Sequence, residues 1–177
     1  MKMTIMYQHA ETAIKGLRVA YPSIKDPAQR IAFTGMVVVA ATTSYEIEIH
    51  EALLNFIDSK HNAVLSTFAR EQWNQMNGHI SYPELTTGYL KYLGNQYCDY
   101  FKNLSSSQDK AQTANGHHII NSYAQVIRNR NSFVHGGMEH TSNLTFEEAI
   151  KYYKEGKYVI QWFSNTLKHT FAENSEE

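Results

Sequence analysis

One helix start near the N-terminus constrains the fold of this chain more than any other feature. Asp26-Pro27 places a capping side chain directly before a proline at the first helical position, where proline is well tolerated. From there apolar side chains recur at helical spacing to about Ser59, which predicts a helix roughly 50 Å long. Its apolar face carries Ile31, Met36, Val39, Thr43, Ile47, Leu54 and Ile57. The sequence therefore predicts an all-α bundle built around one long early helix, with additional short helices.

Two capping boxes mark further helix starts. Ser81-Tyr-Pro-Glu84 predicts a segment that continues through Leu93, Tyr97 and Phe101, and Thr145-Phe-Glu-Glu148 predicts the last helix. Residues 1–22 are expected to form an N-terminal helix, and the acidic tail at 170–177 is expected to fray. Between the capped segments, Asn103 to Gly116 is rich in Ser, Gln and Asn and is predicted to be a polar loop with at most a short turn of helix, and the best candidate for a mobile element.

The composition limits the classes of function. A chain of 177 residues suits a single domain, 1–177, with a full core. Its net charge of −1 provides no global field to attract nucleic acid, so any RNA contact must be local. Cys98 is the only cysteine, which excludes an internal disulfide and fits a reducing compartment. The N-terminal residues lack the apolar run of a signal peptide, and no uncharged stretch is long enough to span a bilayer, so we expect a cytoplasmic protein.

The chemically richest segment is Arg128-Asn-Arg-Asn-Ser-Phe-Val-His-Gly-Gly137, at the end of a helix predicted from about His117. An arginine can hold a phosphate through a fixed fork of donors, and a histidine can exchange a proton near neutral pH. An arginine four to six residues before a histidine occurs by chance about once in a chain of this composition. The asparagine after the arginine and the glycine after the histidine make the pattern far more specific.

Arg130-Asn131-Ser-Phe-Val-His135-Gly136 resembles the signature of HEPN domains, and the order of helices resembles the RiboL-PSP-like branch over most of the chain. The resemblance implies a homodimer whose two motifs face each other, and commonly a metal-independent endoribonuclease without a cofactor. It implies catalytic roles for His135, as general base or acid, and for Arg130, which would neutralise the phosphate. Asn131, at helical spacing from His135, would either hydrogen-bond the histidine ring or the phosphate, or only cap or bridge near the helix end. The biological role would be that of a toxin or defence effector, with an antitoxin or partner protein.

Helix geometry leaves the choice of arginine open. On an ideal helix Arg130 and His135 lie about 140° apart, whereas Arg128, Asn131 and His135 lie within about 60° of one another. Either the helix ends near Ser132 so that His135 turns back, or Arg128 takes a share of phosphate and RNA binding. The family pattern favours Arg130. Arg130 can also pair with Glu46 on the long helix as a structural partner, which would be compatible with catalysis.

Several alternatives remain at this stage. The same fold could serve as a non-catalytic dimer that binds RNA, a nucleotide or a protein partner. A metal site at Glu46 and His50, one turn apart, lacks matching ligands on other helices, so a salt-bridged helix face is favoured and no metal is expected. His117-His118 is predicted to be an exposed helix start. Gly137 stands where a related branch carries an adenylylated tyrosine, which argues against that mode of regulation.

Overall fold

The computed structural model describes residues 5–59, 67, 70–71, 79–136 and 144–171. Within these ranges the chain is helical and contains no strand, so the all-α prediction is confirmed. We label the helices α1 (Ile5–Ala20), α2 (Pro27–Asp58), α3 (Tyr82–Glu84), α4 (Lys91–Leu93), α5 (Asn95–Thr113), α6 (Ile119–Gly136) and α7 (Phe146–Lys168). A short 3-10 turn, Tyr21–Ser23, follows α1, and a π-helical segment, Leu85–Leu90, joins α3 to α4.

The long helix α2 begins where the sequence predicts. The Asp26 side chain accepts a hydrogen bond from the backbone N–H of Ala28 at 3.1 Å, and Pro27 occupies the first helical position. The helix contains 32 residues and is therefore about 48 Å long. Its middle is buried on one side, from Thr34 to Leu53, because α1, α6 and α7 all pack against it. The predicted apolar face is wrong there, because Met36 and Thr43 are exposed. It is the central element of the bundle.

The last helix, α7, packs most extensively against α6 and α2. It begins with the predicted capping box, in which Thr145 and Glu148 exchange backbone and side-chain hydrogen bonds. Gly156 brings α7 close to α2, since a β-carbon there would lie 2.4 Å from the hydroxyl of Tyr45. That hydroxyl donates to the carbonyl of Tyr153 at 2.5 Å, which satisfies a fully buried polar group. These contacts fix the register of the two helices that support α6.

The segment that begins at Ser81 is less regular than predicted. Its capping box with Glu84 is present, but the π-helical segment Leu85–Leu90 widens the helix, and Gly94 interrupts it. Gly94 has a φ of 126°, a conformation that glycine adopts without steric cost. The prediction of one helix through Leu93, Tyr97 and Phe101 is therefore wrong.

The prediction of a polar loop from Asn103 to Gly116 is also wrong, because α5 extends to Thr113. The Ser105 hydroxyl is fully buried and donates to the carbonyl of Phe101 at 2.7 Å, and Leu104 packs against the core. The polar residues form the solvated face of an amphipathic helix, so tertiary packing overrides their preference for loops. Only the turn from Ala114 to Gly116 matches the expectation.

One contiguous apolar core draws side chains from α1, α2, α5, α6 and α7. The expected N-terminal helix corresponds to α1 and the 3-10 turn after it. Most of the predicted fraying tail, residues 172–177, lies outside the described residues, as does Gly137. None of the described helices is both long and apolar enough to cross a membrane. Cys98 is buried, and its thiol donates to the carbonyl of Thr86 at 3.2 Å.

Candidate functional site

The helix that carries the motif, α6, continues without interruption to Gly136. A helix end near Ser132, which would let His135 turn back towards Arg130, is not observed. The first turn of α6 is held by the Asp109 carboxylate, which accepts from the backbone N–H of Ile120 at 3.0 Å. The motif residues therefore keep helical register, and their angular separation follows from about 100° per residue.

The two faces of α6 have different roles. The inward face buries Ile119, Tyr123, Val126 and Ile127, and the Tyr123 hydroxyl donates to the carbonyl of Ile80. The outward face presents Arg128, Asn131 and His135, all of which are exposed. Within the last two and a half turns, a guanidinium, an amide and an imidazole are thus available to one ligand.

Arg130 points away from that face, towards α2. Its Nη2 atom lies 3.7 Å from Oε1 of Glu46, and the two side chains are only 24% and 25% exposed. The Nη1 atom of Arg130 donates to Oδ1 of Asn131 at 3.0 Å. Arg130 therefore contacts both the supporting helix and the exposed amide, although it does not lie on the same face as His135.

The Glu46 carboxylate holds Arg130 loosely. A separation of 3.7 Å permits an ion pair but is too long for a hydrogen bond, and Oε1 of Glu46 is buried without a hydrogen-bond donor among the described residues. Burial raises the pKa of the Glu46 carboxyl, and the Arg130 guanidinium opposes part of that rise. A guanidinium has five N–H donors in all, so Arg130 retains donors for a phosphate.

A close contact that the sequence did not reveal positions the end of α6. The ring of Phe133 packs directly over Gly35 on α2, where a β-carbon would lie 2.2 Å from the ring. Asn129 is buried, and its side-chain amide donates to the carbonyl of Gln125 at 2.8 Å. Gly35 and Phe133 are 98 positions apart in the chain, and no local pattern indicates their contact. It places the last turn of α6 against the long helix.

The residues considered as metal ligands do not form a site. Within the described ranges, no three side chains of His, Cys, Asp or Glu lie close enough together to hold a metal ion. Glu46 faces Arg130, and Nε2 of His50 is buried without a hydrogen-bond partner in the same ranges.

A second polar cluster, also missed from the sequence, lies at the opposite end of α6. His117 and His118 are exposed, as predicted, but Nδ1 of His117 lies 2.7 Å from Oε1 of Glu155 on α7. The other carboxylate oxygen of Glu155 accepts from the hydroxyl of Ser122 at 2.5 Å. The Glu155 side chain is only 8% exposed. Glu155 lies 38 residues after His117 in the chain, so no local pattern in the sequence indicates this contact.

Comparisons with known proteins give one match. No curated protein and no solved structure matches the chain. The model of the RiboL-PSP-HEPN family matches residues 7–169, a range that includes Glu46, Arg128, Arg130, Asn131 and His135. Because the match covers most of the 177 residues, the chain belongs to the RiboL-PSP-HEPN family, one of the HEPN domain families.

Proposed function

We propose that this protein is a metal-independent endoribonuclease whose catalytic residues are Arg130, Asn131 and His135. The observation that carries the proposal is the exposed face formed by Arg128, Asn131 and His135, with Arg130 hydrogen-bonded to Asn131 beside it. A phosphodiester placed on this face would meet a proton-transferring group and positive charge together. Both are needed for cleavage of an RNA strand.

The reaction proposed is internal transesterification. His135 removes the proton from a ribose 2′-hydroxyl, and the 2′-oxygen attacks the adjacent phosphorus. A new P–O2′ bond forms as the P–O5′ bond breaks, and the leaving 5′-oxygen receives a proton. The products are a 2′,3′-cyclic phosphate and a free 5′-hydroxyl. Since these steps use only side-chain acid, base and charge, they require no metal.

The cationic groups would stabilise the charge that develops on the phosphate. Arg130 can donate to a non-bridging oxygen from the edge of the site, guided by Glu46 and Asn131. Arg128 lies on the same face as His135 and is a second phosphate and RNA contact. The two arginines thus divide the task that the sequence left open, with Arg128 binding the strand and Arg130 acting at the reacting group.

A second copy of the chain would complete the site. One imidazole cannot remove the 2′ proton and supply the 5′ proton at the same moment, whereas two copies of His135 across a two-fold axis can do so. Two apolar side chains near the motif, Met36 and Val134, are 48% and 51% exposed. Each directly follows a member of the Gly35–Phe133 contact, so both lie close to the end of α6. We propose a homodimer that covers these side chains.

The proposed biological role is that of a cytoplasmic toxin or defence effector, held in check by an antitoxin or partner protein. This part of the proposal rests on family membership.

The test is incubation of the purified protein with single-stranded RNA in excess EDTA, followed by analysis of product ends. We expect cyclic phosphate ends, and no cleavage of a strand with 2′-O-methyl riboses. RNA that binds to the motif but never yields such ends would favour the non-catalytic alternative, a dimer that only binds RNA, a nucleotide or a protein partner. Activity lost in EDTA and restored by a divalent ion would refute the metal-independent mechanism.

A further inference from the structure

A groove lies on the side of α7 that faces α1, near the start of α6. One cavity of about 410 Å³ is lined there by His117, Glu155 and the middle of α7. A neighbouring cavity of about 390 Å³ shares Arg18, Ile150 and Lys154 with it and extends along α1. Because the two cavities share lining residues from both helices, they form one groove between α1 and α7, which we call the α1–α7 groove.

Four exposed cations line this groove. Lys15 and Arg18 lie on α1, and Lys151 and Lys154 lie on α7. Each pair has a spacing of three residues, which places both members on one side of its helix. Two rows of positive charge therefore face each other across the groove.

The acidic residues in the groove cancel only part of this charge, since Arg18 pairs with Glu147 and Lys151 with Glu155. Glu11 bonds to Lys157, and Glu147 is an exposed residue 3.7 Å from Arg18. Lys15 and Lys154 have no ion-pair partner within the described ranges. The groove therefore retains positive charge that folding does not use.

The third acid, Glu155, orients two of the groove's basic groups. Its buried carboxylate contacts Nδ1 of His117 at 2.7 Å and Nζ of Lys151 at 3.8 Å, and it accepts a hydrogen bond from the hydroxyl of Ser122. Burying a carboxylate is costly unless several partners satisfy it. The arrangement fixes the His117 ring on the groove wall.

The groove meets a requirement set by the composition of the chain. A net charge of −1 means that RNA must be attracted by a local concentration of cations. The helix α6 borders the groove at its first residues and carries the motif at its last, and its 18 residues span about 27 Å. A strand that reaches both ends must be several nucleotides long.

We infer that the α1–α7 groove is a second contact surface for the phosphodiester backbone of the RNA substrate, remote from the motif. This inference rests on RNA being the ligand of the proposed active site. It assigns backbone binding to Lys15, Arg18, Lys151 and Lys154, and it leaves cleavage to the motif.

The first experiment measures binding of a labelled 20-nucleotide RNA to His135→Ala protein at several salt concentrations. The variant Lys151→Gln/Lys154→Gln is compared with Lys102→Gln/Lys168→Gln, which removes two exposed lysines elsewhere and has the same net charge. Loss of two phosphate contacts should lower affinity about tenfold and reduce the log–log salt slope by about 1.4. Equal affinities and slopes for the two double variants would overturn the inference.

The second experiment measures cleavage by protein with an intact motif. We expect Lys151→Gln/Lys154→Gln to cleave a 20-nucleotide RNA less efficiently, through a higher KM, and to cleave a dinucleotide at the unaltered rate. An equal loss on both substrates would contradict a remote binding surface. If no RNA is cleaved but binding still depends on the groove lysines, the proposed catalysis fails while the groove inference stands.

Discussion

The ring of Phe133 occupies the space that a β-carbon on Gly35 would need, at 2.2 Å. The contact joins the motif helix to the first third of the long helix. It explains why a glycine, which weakens a helix by about 1 kcal/mol relative to alanine, is found inside α2.

Gly35→Ala should therefore destabilise the protein, although alanine favours helix formation. The steric conflict with Phe133 is expected to cost about 1 to 3 kcal/mol, which would lower Tm by roughly 2 to 12 °C in thermal unfolding. RNA cleavage should fall as well, because the ring anchors the last turn of α6.

Gly16→Ala is the matched control, since nothing lies within 4 Å of a β-carbon at that position in α1. It should raise the free energy of unfolding by up to about 1 kcal/mol. If Gly35→Ala stabilises the protein as Gly16→Ala does, the contact with Phe133 does not constrain α6.

Glu46→Gln should lower kcat about tenfold with little change in KM. The charged partner that guides Arg130 would be lost, while the hydrogen bond from Arg130 to Asn131 would remain. Tm should not fall, because the substitution also removes the cost of burying a carboxylate. Steady-state cleavage of a short RNA and thermal unfolding give the two readouts.

Glu51→Gln, an exposed position on the same helix, serves as the control for that substitution. If both variants retain full kcat, Glu46 has no positioning role for Arg130.

Glu48 should make stability depend on pH. Burial, and secondarily the Glu51 carboxylate, raises its pKa from 4.5 to about 7. The folded protein therefore keeps a proton that the unfolded chain releases, so stability falls as pH rises from about 4.5 to 7. Glu48→Gln should raise Tm at pH 8 by roughly 2 to 4 °C, about 1 kcal/mol after allowance for solvent screening, and much less at pH 5. An equal effect at both pH values would show that Glu48 is charged in the fold throughout.

The sequence predicted those helix starts that depend on neighbouring residues. Asp26-Pro27 and the capping boxes at Ser81 and Thr145 all act within three residues, and the structure contains each one. The loop predicted after Asn103 was wrong because burial of Leu104 and Ser105 comes from other helices. Propensity alone contains no information about such packing.

The candidate site was likewise predictable from the sequence only in part. The angular separation of Arg130 and His135 follows from helix geometry and from a helix that continues to Gly136. The contacts of Phe133 with Gly35 and of His117 with Glu155 join residues 98 and 38 positions apart. Neither pair has a local sequence signal, so only the folded chain reveals them.

The most direct measurement compares RNA cleavage by the native protein, His135→Ala and His118→Ala, with analysis of the 2′,3′-cyclic phosphate ends. His118 is also an exposed histidine of the α6 region, but it lies at the opposite end of that helix. We predict that His135→Ala abolishes the cyclic phosphate product, and that His118→Ala cleaves at the native rate. Cleavage by His135→Ala at the native rate would contradict the proposed role of the motif.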